Sequence, residues 1–179
     1  TVAPYGQDKF KASLGNFPEM MKKGYIFVYQ DVRGKWMSEG TFEDIRPTKT
    51  KENKQSIDES TDTYDTIDWL VKNLKGNNGK VGMYGISYPG FYSTAGLIGS
   101  HPALKAVSPQ APVTDWFIGD DFHHGGALFL MDAFRFMYTF DAPRPNPITN
   151  EKGPKGFDLP SKNYAKFFMD NPTLSGLKD

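Results

Sequence analysis

The chain has 179 residues, enough to enclose one hydrophobic core, and its 21 basic and 21 acidic residues cancel, so nothing marks it electrostatically for nucleic acid or an anionic membrane. It has no cysteine, which excludes disulfides, thiolate metal sites and a cysteine nucleophile. No run of about eighteen apolar residues occurs, and the opening Thr1-Val2-Ala3-Pro4-Tyr5 is not a basic-then-apolar leader, so neither a membrane span nor a signal segment lies within these residues.

Residues 9–23 have moderate helical character that Gly15, Asn16 and Pro18 must break or restart. Gly24-Tyr25-Ile26-Phe27-Val28-Tyr29-Gln30 is a β-branched and aromatic run, opened by glycine and closed by Asp31, and predicts a buried strand. A polar stretch from Asp31 to about Ser60 follows and reads as a solvated loop. Within it, Arg33 is expected to pair with a carboxylate and fix the loop; neither Arg33 nor Asp31 is assigned a catalytic role. From Thr61 to Lys75, Tyr64, Ile67, Leu70, Val71 and Leu74 share one face of a helix. Gly76-Asn77-Asn78-Gly79 makes a turn, Lys80 to Ile86 a second strand, the stretch from Pro89 to Ile98 a helix ending near Gly99, and Ala103 to Pro109 a third strand. This alternation predicts an α/β fold with a parallel sheet and helices on both faces. After Asp115 the texture changes to Trp116, Phe117, Phe122, Phe129, Phe134 and Phe136 at loosely helical spacing. A boundary between 1–114 and a helical region at 115–179 is therefore expected.

Ser87 falls at the junction of a predicted strand and a predicted helix. A serine hydroxyl is a weak nucleophile unless it is held exposed beside a base with donors ready for the oxyanion, and a sharp strand-to-helix turn meets the first of these needs. The alternative is a helix N-cap, a common role for serine. The strict G-x-S-x-G pattern fails because Pro89 stands at its last position; what is present is Gly85-Ile86-Ser87-Tyr88-Pro89-Gly90. Adjacent acids such as Asp120 and Asp121, ahead of an apolar segment, ordinarily serve as caps or solvated residues. His123 and His124 lack the spacing of a zinc site. His101 reads as a loop residue. Gly76-Asn77-Asn78-Gly79-Lys80 precedes a strand and lacks the hydroxyl residue after lysine, so it is not a phosphate loop.

The longer serine motif, together with Pro4-Tyr5, Tyr29-Gln30-Asp31-Val32-Arg33-Gly34-Lys35, Ser38-Glu39-Gly40, Asp65-Thr66-Ile67-Asp68-Trp69-Leu70, His101-Pro102-Ala103-Leu104 and Gly119-Asp120-Asp121, resembles the cocaine-esterase and X-prolyl dipeptidyl peptidase family of α/β-hydrolases. It is nearest the α-amino-acid ester hydrolase and glutaryl cephalosporin acylase branch. The likeness covers most of the first 130 residues and little beyond Phe140. It implies a partial α/β-hydrolase domain at 1–114 leading into the start of a helical cap at 115–179. It also implies Ser87 as the nucleophile, Tyr5 and the backbone N–H of Tyr88 as the oxyanion hole, and Asp121 as a carboxylate that holds a substrate ammonium.

The resemblance implies a serine hydrolase cleaving esters or amides of α-amino acyl or peptide-like substrates through an acyl-enzyme on Ser87. The alternatives are an X-prolyl dipeptidyl peptidase and a non-catalytic piece. The triad acid and histidine of such a fold follow later strands, and no strand after Pro109 is recognisable as one of them. They are expected outside this chain, which alone is expected to be inactive. The natural protein is expected to extend past both ends, because three strands leave two sheet edges to protect. No cofactor or metal is expected. The expected partner is a small-molecule ester, amide or peptide substrate, without nucleic acid or membrane, and a homo-oligomer is allowed; the residues leave the location open, and the resemblance points to a periplasmic or secreted one.

Overall fold

A computed structural model of the protein describes residues 2–3, 16–52, 57–137, 163–173 and 175. Tyr5 and residues 9–15 of the expected first helix lie outside the described residues. The chain forms two compact units, with the described residues up to Val113 in the first and those from Thr114 onward in the second.

In the first unit, β1 (Val2–Ala3) pairs in parallel with β2 (Gln30–Asp31), and β3 (Val81–Ile86) in parallel with β4 (Leu104–Gln110). Helix α1 (Pro18–Lys22) starts at Pro18, a residue tolerated in the first turn because its missing N–H would have no partner there. Gly24, at φ 77°, lies in the turn that ends the helix. The predicted buried strand from Gly24 to Gln30 is corrected: only its last residue joins the ladder, and Tyr25 and Ile26 are exposed. A strand exists only where a neighbour supplies the matching N–H and C=O groups, and the described part of β1 supplies two residues. Phe27 packs instead on Phe17, whose ring also meets the edge of Tyr84.

Helix α2 (Glu59–Asn73) begins two residues before the predicted start because Asp58 caps it. The Asp58 carboxylate accepts the Thr61 N–H at 2.8 Å, and the Thr61 hydroxyl accepts the Asp58 N–H at 3.0 Å, a reciprocal capping box. Thr63 and Ile67 of this helix are buried; Trp69 is exposed. Beyond Leu74, Gly76 and Gly79 both take positive φ, which turns the chain into β3.

Strands β3 and β4 run in register from Gly82 opposite Ala106 to Ile86 opposite Gln110, and α3 (Tyr88–Ala95) connects them as a βαβ crossover. Packed against both strands, α3 carries much of the core: Tyr88, Tyr92 and Ala95 are buried, as are Met83 of β3, Ile67 of α2, and Val32 and Ala103.

The polar stretch after β2 is not simply solvated. Val32, Gly34 and Lys35 are buried, and the segment is bonded to α2 and its cap in three places. Arg33 grips Asp62 in a two-point contact along one edge of its guanidinium, Nε donating at 2.9 Å to Oδ2 and Nη2 to Oδ1, as expected of a loop-fixing residue. The Arg46 N–H donates to Glu59 at 3.3 Å and the Lys49 N–H to Asp58 at 2.5 Å. A cleft lined by Arg33, Arg46, Glu59, Asp62, Thr63 and Tyr92 lies along this seam.

The second unit begins with turns and bends within 114–122 and then forms a hairpin within the region expected to be helical. Strands β5 (His123–His124) and β6 (Ala127–Leu128) pair antiparallel across Gly125-Gly126, both at positive φ, the backbone that a two-residue type I′ turn demands. Helices α4 (Leu130–Met137) and α5 (Tyr164–Asp170) follow. They meet through aromatics, Phe134 lying 6.3 Å from Phe167 and 5.8 Å from Phe168, while Phe136 reaches back to Phe122. No helix among the described residues is long and apolar enough to cross a membrane.

Candidate active site

The turn between β3 and α3 is built by small residues. A Cβ on Gly85 would lie 2.0 Å from the Pro89 carbonyl oxygen, and one on Gly90 would lie 2.5 Å from the carbonyl oxygen of Gln110. Only glycine at both positions lets the strand end and the helix start approach so closely. Ser87 sits between them at φ 61° and ψ −123°. A non-glycine residue in such a conformation costs about 1–3 kcal/mol and persists only where its surroundings fix it. Here the Ser87 N–H donates to the Gln110 carbonyl at 2.9 Å, and its own carbonyl accepts the Phe91 N–H at 3.0 Å.

Ser87 is exposed, and its hydroxyl makes no capping bond to α3. The N-cap alternative therefore lacks the hydrogen bond that defines it. What remains is an exposed hydroxyl on a strained turn at the carboxyl end of a parallel strand, the edge of an open α/β sheet where ligands bind.

Tyr88 follows as the first residue of α3 and is 6 % exposed. Its ring stacks on Tyr92 with centroids 5.1 Å apart, and its hydroxyl donates to the Asp44 carboxylate. Burial, with Tyr92 and Asp44 close by, pushes the Tyr88 phenol far above its ordinary range and keeps it protonated. The Tyr88 side chain thus points into the protein body, and any part the residue takes at the turn's surface falls to its backbone. Sequence reasoning misses Asp44, which stands in a charged stretch with nothing to separate it from Glu43. The one local signal is that Phe42 and Ile45 flank the two acids with apolar side chains.

The adjacent acids of the second unit have different roles. The Asp120 side chain is 1 % exposed and accepts the backbone N–H groups of Phe122 and His123 and the Nδ1–H of His123. Burial pushes its carboxyl up, but these donors outweigh the burial and hold it below the usual range. Asp121 is exposed and has no hydrogen bond or ion pair among the described residues. His101 Nδ1 accepts the Ala103 N–H at 3.0 Å, its Nε2 lies 3.5 Å from Asp68, and its ring packs on Tyr64, so it is a loop-fixing residue. The His124 ring meets Phe129 edge-on.

The serine turn on a parallel βαβ unit defines the class as α/β-hydrolase, of which this chain carries a part. Residues 1–155 match the family model described as X-Pro dipeptidyl-peptidase (S15 family), and the chain belongs to that family of hydrolases. It is 31 % identical over 113 residues to the cocaine esterase of Rhodococcus sp. (strain MB1 Bresler), an alignment covering 63 % of this chain and 18 % of that protein. Among solved structures, an aminopeptidase from a marine sediment archaeon, Thaumarchaeota archaeon, superposes with a TM-score of 0.72 at 38 % identity, covering 86 % of this chain and 27 % of that one. An α-amino acid ester hydrolase gives the same TM-score and identity, with 80 % and 25 % covered. The chain thus spans between about a fifth and just over a quarter of the length of these relatives.

Proposed function

We propose that the whole protein is a serine hydrolase that cleaves esters or amides of α-amino acyl or peptide-like substrates through an acyl-enzyme on Ser87. The observation that carries this reading is the Ser87 turn, which leaves the hydroxyl exposed at φ 61° without a capping bond. In the proposed reaction Oγ attacks the substrate carbonyl carbon, its proton passes to a general base, and the carbonyl oxygen becomes an oxyanion. The Tyr88 N–H and the Tyr5 hydroxyl donate to that oxyanion. The leaving alcohol or amine takes the proton as the tetrahedral intermediate collapses, and water then releases the acyl group by the reverse sequence. The base and its acid partner are supplied by residues beyond those of this chain.

Likeness to an α-amino acid ester hydrolase and to an aminopeptidase, each at 38 % identity, supports a substrate with a free α-ammonium. The family description favours a second reading, in which the acyl group is an X-prolyl dipeptide. The full-length protein treated with a fluorophosphonate should gain one adduct, mapped by peptide mass to Ser87, and Ser87→Ala should abolish both label and turnover. Turnover kept in Ser87→Ala would end the proposal. Hydrolysis of amino-acid aryl esters in preference to X-prolyl anilides separates the two substrate readings.

A further inference from the structure

Tyr88 is fixed from two directions that the reaction itself does not require. Its ring lies on Tyr92, one turn along α3, and meets the edge of Phe91, while its hydroxyl bonds to a carboxylate 44 residues earlier in the chain. That carboxylate stands in a segment with its own anchors. Arg46 reaches the Thr41 carbonyl at 2.6 Å and Glu43 at 3.3 Å, and its backbone N–H is bonded to Glu59 of α2. Between Asp44 and Arg46, Ile45 takes φ 54°, a conformation that a β-branched residue adopts only when its surroundings force it. The chain therefore accepts backbone strain next to Asp44 while Asp44 is engaged with the residue after Ser87.

We propose that Asp44 is a positioning residue, which through the Tyr88 hydroxyl fixes the Ser87–Tyr88 peptide and so aims the Tyr88 N–H at the oxyanion. This rests on the reading of Ser87 as nucleophile. The orientation of that peptide is set by ψ of Ser87 and φ of Tyr88. Ser87 is in a sparsely populated conformation, so the turn relaxes unless the following residue is held. A buried ring bonded at its far end to a carboxylate on a separately anchored loop supplies that hold. A charge-assisted bond to an ionised acceptor holds it more firmly than a bond between neutral groups. A donor aimed at an oxyanion acts chiefly in the transition state, so loosening it lowers turnover more than substrate binding.

The test uses the full-length protein with Asp44→Asn, Tyr88→Phe and the double variant, following aryl-ester hydrolysis, the rate of fluorophosphonate labelling and the melting temperature. Tyr88→Phe keeps the ring and its stacking and removes only the hydroxyl, so it tests the proposal even if Asp44→Asn fails to fold. The expected result is a fall in kcat and in labelling rate of about tenfold in each single variant, the effect of a small misplacement, with KM within about twofold. The double variant should be no slower than the slower single one, because each single variant already removes the Asp44–Tyr88 bond. A Tyr88→Phe kcat within about twofold of wild type overturns the proposal, as does a double-variant loss equal to the product of the single losses. If the wild-type protein labels at a residue other than Ser87, the nucleophile reading itself fails and this proposal with it; normal wild-type labelling with unaffected variants defeats the Asp44 role alone.

Discussion

Ser87 is legible in the sequence because three local signals coincide there: a strand pattern ending at Ile86, small residues at 85 and 90, and a helix pattern beyond. The physical cause is that the residue types a strand-to-helix turn demands fall within six positions, even though Gln110 of β4 supplies both the carbonyl that crowds Gly90 and the acceptor of the Ser87 N–H. Asp44 is the opposite case, since its partner is remote in sequence and nothing near it announces the pairing. Tyr5 lies between these cases: composition says nothing of its role, and only the resemblance marks it. In the full-length protein Tyr5→Phe should lower kcat by about 10²–10³ with a smaller change in KM, as for loss of a donor used mainly in the transition state. Steady-state kinetics on an aryl ester checks this, and an unchanged kcat removes Tyr5 from the oxyanion hole.

At the scale of elements, α2 is readable from its apolar spacing, yet its start is set by a residue outside that pattern. The Asp58 side chain, buried to 2 % exposure, accepts the Thr61 N–H, the Ser60 hydroxyl and the Lys49 N–H, joining the preceding loop to the helix. Burial pushes its carboxyl up, but these donors outweigh the burial and hold it below the usual range. A carboxyl depressed in the folded state stabilises the fold above its unfolded value, near pH 4, and that contribution is lost as pH falls through the lower folded value. Asp58→Ala should therefore cost about 2 kcal/mol at neutral pH, the upper end for a helix cap, because backbone donors lose their acceptor. Urea denaturation of the full-length protein at neutral pH and at successive values below about pH 4 checks both parts: the deficit should shrink in acid. A deficit independent of pH would show that the cap does not depend on its charge. The predicted strand at 24–30 fails at the same scale, because pairing, unlike helix formation, depends on a partner elsewhere in the chain.

For the whole molecule, the balance of 21 basic and 21 acidic residues leaves any selectivity for a charged substrate to individual groups. Asp121, exposed in the second unit without a bond of its own among the described residues, is the group we propose for a substrate ammonium. In the full-length protein Asp121→Asn should raise KM for α-amino esters by about tenfold or more while leaving simple acyl esters nearly unchanged, since only a cationic substrate loses a partner. Equal losses on both ester types would assign Asp121 a structural role. What the sequence determined by itself was the alternation of helix and strand, the parallel α/β class and the serine at its turn, because periodicity, glycine placement and turn chemistry act over a few residues. Only the tertiary structure decided which part of the run after Gly24 pairs, that Asp120 is spent on its own turn while Asp121 is left exposed, and that Asp44 reaches Tyr88. Each of these depends on which distant groups meet and satisfy one another's hydrogen bonds, and local residue pattern carries no record of that meeting.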